Sequence, residues 1–351
     1  MVTRVIVFFI GLVGVRWVLV SIVRSVVIPR PERVWLTSMM FSLSRTVTHA
    51  VGSKLPPRLK HKVLGAFAPT VLIMLPFVWS IGMILAFALL YWGVGVGSWQ
   101  MSLEFSGSSM TTLGFVPAPN AAARVLAVLE ALFGLGIIAL MISFLPALYG
   151  TFSRREIAVG KLTTRAGAPP NPVTFLKRLH EIDRLHHIDE SWGEWEDWFV
   201  ELSETHTSFP ALVYFRSAKP DRSWLRAAET ALDTAALVRS LDMPGASGEA
   251  DLLIRSGSRA LRNIADFYRI EPELEVADYA KLSVDQSQFD AVIETLVSAG
   301  VLGWSIPPDA WEKFAGWRIN YDRAIVGLEH LVEDLPGFWE ADPDLMDGLR
   351  G

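Results

Sequence analysis

Two adjacent threonines, then a leucine, a glycine and an aromatic residue, Thr111, Thr112, Leu113, Gly114 and Phe115, put hydroxyls and a freely oriented backbone carbonyl row into one short stretch. An extended backbone there would offer oxygen ligands able to replace the water around a cation. Glu104 is the sole carboxylate of residues 93–120, a segment without Lys or Arg, and would draw cations towards that face or brace the short helix carrying it. Glu130 is an ionisable group inside an apolar run, which makes it a functional candidate: it would face a cavity and bind a passing cation, or pair with Arg124 or with a neighbouring backbone. Such residues bind and conduct; they make no covalent bond. The chain has no cysteine, which removes disulfides, thiolate metal sites and cysteine nucleophiles. Neither a phosphate-cradling G-x-x-x-x-G-K-[ST] nor a G-x-S-x-G nucleophile turn occurs. Ser208, His206 and Asp197 read as surface and capping groups, so no enzyme is expected.

The elements that position these residues are apolar and long. Residues 68–94 are nearly uninterrupted apolar sequence, residues 121–149 return, and each exceeds the ~20 residues needed to cross a bilayer. Pro69 fits near the start of the first of these helices, and Pro76 predicts a bend. The polar stretch between them, residues 99–119, is then a re-entrant loop: a short helix over 99–110 descends, with Gln100 and Glu104 on one side, and 111–115 runs back. In the returning helix Gly134 and Gly136 are candidate hinges or close-approach positions, Pro146 should interrupt the hydrogen-bond ladder, and Phe144 is a candidate constriction.

A further apolar run, residues 5–28, is long enough to cross and lacks a small-residue cleavage site, so it is read as a spanning helix rather than a signal peptide, at the cost of Arg16 and Arg24 within it. Residues 29–67 carry Arg30, Arg33, Arg45, Lys54, Arg58, Lys60 and Lys62 against Glu32, and residues 151–172 carry Arg154, Arg155, Lys161 and Arg165. Both basic segments belong on the cytoplasmic side, which leaves the loop on the other. The basic connection also suits contact with anionic lipid headgroups.

At this point a resemblance enters. A helix, short helix, Thr-Thr-x-Gly-aromatic step and second helix resembles the pore domain of two-transmembrane potassium channels, over about residues 68–150. That family carries Thr-Thr-Val-Gly-Tyr-Gly-Asp and works as a tetramer; here Thr111, Thr112, Gly114 and the aromatic Phe115 match, Leu113 replaces the valine, and Val116 and Pro117 stand where glycine and aspartate belong. A β-branched residue disfavours the positive φ that glycine permits, so the resemblance implies a shorter or less selective filter. The step also resembles the pore loops of Trk/Ktr potassium transporters, which carry four repeats in one chain; one repeat here implies a homotetramer.

The other half is polar. Gly167 to Pro172, GAPPNP, marks a break, and residues 173–351 read as an all-helical cytoplasmic domain. A helical pattern covers 173–206, with an apolar face from Phe175, Leu179, Ile182, Leu185 and Ile188 to Trp192, Trp195 and Trp198; further helices are expected over 223–241, 248–267, 283–299 and 310–334. Leu225, Ala228, Leu232, Ala235 and Ala236 form one packing face. His180, Glu181, His186, His187 and Asp189 lack the His-Glu-x-x-His spacing of a zinc protease and read as a salt-bridged surface, with no metal beyond a conducted cation. Arg318, Asn320 and Asp322, with Trp317 and Tyr321, form a polar cluster able to hold a ligand or a neighbouring subunit, although the two aromatics suit the core.

With a net charge of -5 the chain has no basic footprint for nucleic acid. The expectation is an all-α membrane protein with three transmembrane helices and a re-entrant loop, in the plasma or inner membrane. It would be an oligomeric channel for potassium or another monovalent cation, without cofactor, with an unidentified cytoplasmic ligand or protein as a possible partner. The alternative is a membrane-anchored signalling or scaffold protein.

Overall fold

The computed structural model describes residues 2–28, 39, 56–219, 221–270, 281–332 and 338–339, and among them it is all-helical, with no strand. Residues 29–38 and 40–55, most of the expected basic connection with Arg30, Arg33, Arg45 and Lys54, lie outside the described residues, as do 333–334 of the last expected helix. The chain divides into two compact units, Met1–Gly150 and Thr151–Gly351.

In the first unit α1 (Val2–Ile22) ends in a π turn over Val23–Val27. It packs along α2 (Pro57–Gly93). The pairing is antiparallel: Gly93 lies against Phe8, Ala86 against Gly11 and Gly14, Gly82 against Val18, and Trp79 Nε1 donates to Ser21 Oγ at 3.2 Å. Small residues line this seam because a Cβ on Gly11 would stand 2.8 Å from the Ala86 carbonyl oxygen. Close backbone approach is how helices associate where no hydrophobic effect drives them together. The helix begins eleven residues before the expected Ala68, since Pro57 at its first turn supplies the fixed φ that starts a helix. Pro69 and Pro76 both lie inside it.

Then come α3 (Trp99–Met110) and α4 (Ala121–Ala166). Among the described residues three helices are long and apolar enough to cross a membrane, over Val2–Val26, His61–Gly93 and Ala121–Ala166. The connection expected over 151–172 is corrected in its first part: residues 151–166 continue α4, because Arg155, Val159, Leu162 and Ala166 on one face are buried in the core of the second unit. Pro146 likewise leaves the helix continuous.

The second unit contains α5 (Pro172–Glu181), α6 (Glu190–Ser208), α7 (Trp224–Ser240), α8 (Gly248–Phe267), α9 (Gln286–Ser298), α10 (Ala310–Arg318) and α11 (Asp322–Val332). Where one helix was expected over 173–206 there are two, separated at Asp183, whose φ of 55° no helix interior accommodates. The helix expected over 310–334 is also split, by three-residue turns from Asn320 and Tyr321 back to Trp317 and Arg318 that aim Arg318 and Tyr321 inward. Helix α7 is the hub. Alanines at 227, 228, 231, 235 and 236 let neighbours close on it from every side, so it is buried all round rather than on the single expected face. Tryptophans 192, 195, 198 and 339 lie in the same core, as does Trp224 at the start of α7.

Candidate functional site

Helix α3 is capped by Ser98, whose side chain accepts from the Met101 amide, and it runs back alongside α2. Phe105 meets Tyr91 edge-on with ring centroids 4.6 Å apart. At the next residue, Ser106 Oγ lies 2.9 Å from the carbonyl oxygen of Ile84. Ile84 is nine residues before the end of α2, about 14 Å along its axis at 1.5 Å per residue. The C-terminus of α3 ends against α4 at Gly134, where a Cβ would stand 2.2 Å from the Met110 carbonyl oxygen. Gly134 is thirteen residues into α4, so α3 ends about 20 Å along it. The glycine is what permits that approach. Gly136, by contrast, faces open space.

At the end of α3 the backbone reverses with Thr112 at φ 58° and Gly114 at φ 67°. Glycine accepts this at no steric cost, whereas a β-branched threonine there is an outlier of the kind that collects at functional sites. The reversal turns the amides inward: Thr112 N donates to the Ser109 carbonyl at 3.0 Å, and Leu113 N and Gly114 N both donate to the Ser108 carbonyl, at 3.0 and 3.3 Å. Behind them the buried Ser108 Oγ accepts from Val116 N at 3.4 Å. Among the described residues, no hydrogen bond is accepted by the carbonyls of residues 111–115. Thr111, Thr112, Leu113, Gly114 and Phe115 are all exposed, Leu113 at 70% and Phe115 at 65%. Residues 111–114 therefore commit their amides to the end of α3 while the carbonyls of 111–115 stay without a donor among the described residues, at the negative end of a helix. The stretch returns to Asn120, which donates from Nδ2 to the Val94 carbonyl at 3.2 Å and caps α4 by accepting from Ala123 N at 2.8 Å.

Glu130 is fully buried beneath this loop. Its Oε2 accepts from the Tyr91 hydroxyl at 2.8 Å and its Oε1 lies 2.5 Å from Ser106 Oγ, so one carboxyl group ties together α2, α3 and α4. Of the alternatives open to it, a bond to Arg124 is not the one formed; Arg124 is exposed. Glu104 is exposed and accepts from Gln100 Nε2 at 3.3 Å. Phe144 is half-buried and Pro146 exposed, about three turns beyond Gly134 on α4.

The second unit holds two buried polar groups. Around α7, Arg318 donates to Asp233 at 2.7 Å, Asp322 at 2.9 Å, Glu229 at 3.1 Å and Ser283 at 3.1 Å. Tyr321 Oη also donates to Asp233 at 2.7 Å. Burial alone would lower the Arg318 guanidinium, but Asp233, Asp322 and Glu229 outweigh it and hold it well above its usual value. Burial pushes Glu229 up to about 6, with Asp233 adding to the push and Arg318 opposing it. At the end of α4, buried Arg155 donates to the carbonyls of Leu212 at 2.9 Å and Phe215 at 2.6 Å and faces His206 Nε2 at 3.3 Å. An arginine only donates, so His206 Nε2 accepts and Nδ1–H turns to the Leu202 carbonyl at 3.1 Å. Burial, then Arg155, hold this imidazole well below its usual value. His206 is thus a core residue rather than the expected surface group.

Sequence reasoning singled out Arg318 and Asp322 and missed Glu229 and Asp233. The signal for them was available: two carboxylates four residues apart on a helix that is alanine-rich all round have no solvent face to occupy. Compared with known proteins, the chain matches no family model, and neither a curated protein nor a solved structure proves similar to it.

Proposed function

We propose that the protein is an oligomeric cation channel, with residues 111–115 as its narrowest ion path. The observation that carries this reading is the polarity of that stretch: the amides of residues 111–114 are spent on the end of α3 while the carbonyls of 111–115 accept nothing among the described residues. Free carbonyls suit cations and repel anions. They also lie about 20 Å along a helix long enough to span, and exposed non-helical backbone at that depth is tolerated only around water or against protein. One chain leaves the stretch exposed, so several copies about one axis would enclose it, most simply four. Charge sidedness supports a multi-pass topology in the plasma or inner membrane, with the loop outside and Arg154, Arg155, Lys161 and Arg165 inside. Potassium or another monovalent cation would shed water against residues 111–114 and pass Phe144 and Pro146 along α4, with Gly134 receiving the end of α3. Glu130 would hold the short helix in place from behind rather than meet the ion, because its carboxyl oxygens are engaged by Tyr91 and Ser106.

Purified protein in liposomes under a potassium gradient tests this directly. Cation flux with a reversal potential set by the monovalent cations, lost in Gly114→Ala, is the expected outcome. No flux from a folded, membrane-inserted oligomer overturns the channel in favour of a membrane anchor.

A further inference from the structure

Phe338 and Trp339 are held in the second unit in the way a bound peptide is held. Both are buried, at 5% and 3% exposure. Among the described residues, no backbone-to-backbone hydrogen bond joins either of them to the unit. Among the described residues their polar contacts come from side chains of two helices, α7 and α9: the Phe338 amide donates to Glu229 Oε2 at 3.1 Å, the Trp339 indole donates to Asp233 Oδ2 at 2.7 Å, and Gln288 Nε2 donates to the Trp339 carbonyl at 2.5 Å. The indole packs on Phe314, ring centroids 5.5 Å apart.

The charges of the pocket explain the chemistry of what fills it. Three carboxylates, Glu229, Asp233 and Asp322, meet two guanidiniums, Arg226 and Arg318, which leaves an excess of buried acceptors. An occupant must therefore bring N–H donors and an apolar body; an indole beside a backbone amide supplies both, and a phenylalanine or leucine side chain supplies only the second. Arg226 Nε, buried next to Glu229, has no partner among the described residues and leaves a donor for an acceptor of the occupant.

We propose that this pocket is a recognition site for a short peptide segment with adjacent Phe and Trp, which residues 338–339 fill in cis and a partner protein carrying the same pair can fill in trans. The site stands independently of the channel reading.

The probe is a synthetic peptide of residues 334–342, labelled with a fluorophore and titrated into the full chain in detergent with its own segment vacated by Phe338→Ala and Trp339→Ala. Saturable binding is expected, weakened at least about tenfold when 1-methyltryptophan replaces the tryptophan, because only the indole donor is lost. No saturable binding to the folded double variant, or equal affinity for the methylated peptide, overturns the proposal. If circular dichroism shows that the double variant does not fold, Trp339→Phe serves instead: it keeps a packed ring, lacks the donor, and should be displaced by the peptide. Failure of the peptide to bind folded Trp339→Phe is equally decisive against the site.

Discussion

The two units each bury carboxylates, and they neutralise them differently. Glu130 in the first is met by hydroxyls, from Tyr91 and Ser106, and by no cation among the described residues. Glu229 and Asp233 in the second are met by the guanidinium of Arg318 and then by uncharged N–H groups. Between helices made to sit in hydrocarbon, a guanidinium would add a second desolvated charge, and hydroxyl donors satisfy the same lone pairs without one. In the polar second unit, the long arginine fork gathers three carboxylates from two helices and converts their repulsion into a single packed centre. A buried acid thus acts as a positioning group in one unit and as a folding centre in the other.

The strongest way to break this contrast is Arg318→Met. It leaves Glu229, Asp233 and Asp322 together without their main cation and should cost about 3–5 kcal/mol in the second unit. Denaturant unfolding followed by tryptophan fluorescence reads the loss, since the tryptophans of that core report it. Next comes Gly134→Ala. The added Cβ meets a backbone oxygen at 2.2 Å, which cannot rotate away, so about 3 kcal/mol of overpacking is expected in the first unit, with loss of flux. Gly136→Ala, in open space, should change flux and thermal midpoint by little, and an equal effect of the two would remove Gly134 as the contact that sets the loop.

Glu130→Ala should cost about 2 kcal/mol: Ser106 keeps the Ile84 carbonyl, but the buried Tyr91 hydroxyl loses its partner. Glu130→Gln retains an acceptor for Tyr91 and should stay close to the parent in thermal stability. If Gln behaves as badly as Ala, the acid does more than position the helix.

The smallest effect separates the units by pH. His206 is held neutral in the folded state and gains a proton on unfolding, so stability is complete above about 6.5 and falls on acidification below it, by about 1.4 kcal/mol per pH unit at most. Glu229 runs the other way: its folded value of about 6 lies above 4.5, so the folded state takes up a proton first and gains stability as pH falls through that window. Stability of the second unit should therefore fall by less than about 1 kcal/mol in all as pH drops from about 7.5 to about 5, levelling off where the two opposite slopes cancel. His206→Asn should abolish the drop; if it persists, another group carries it.

Much of this was readable along the chain, and the parts that were not share a cause. Three long apolar runs, the proline and glycine breaks, and the Thr-Thr-Leu-Gly-Phe step are local in sequence, so helix number in the first unit and the position of the loop follow from residue type alone. The continuation of α4 to Ala166 was not legible, because the basic residues that mark a membrane boundary do not also mark a helix end; Arg155 is basic and yet fully inside a core. The splits at Asp183 and at residues 319–321 were hidden for a related reason, since apolar spacing persists across a turn when both helices bury the same side.

By itself, then, the sequence determined which segments are apolar enough to span, which stretch between them is rich in oxygen ligands, and which residue types could hold a charge. Only the tertiary structure decided that Glu130 faces Tyr91 and Ser106, that Gly134 and not Gly136 receives the end of α3, that the amides of 112–114 turn inward, and that Glu229 and Asp233 share Arg318, 89 and 85 positions away. Hydropathy and turn propensity act over a few neighbouring residues, whereas a buried polar group is satisfied by whichever partner the packing of distant helices brings within 3 Å.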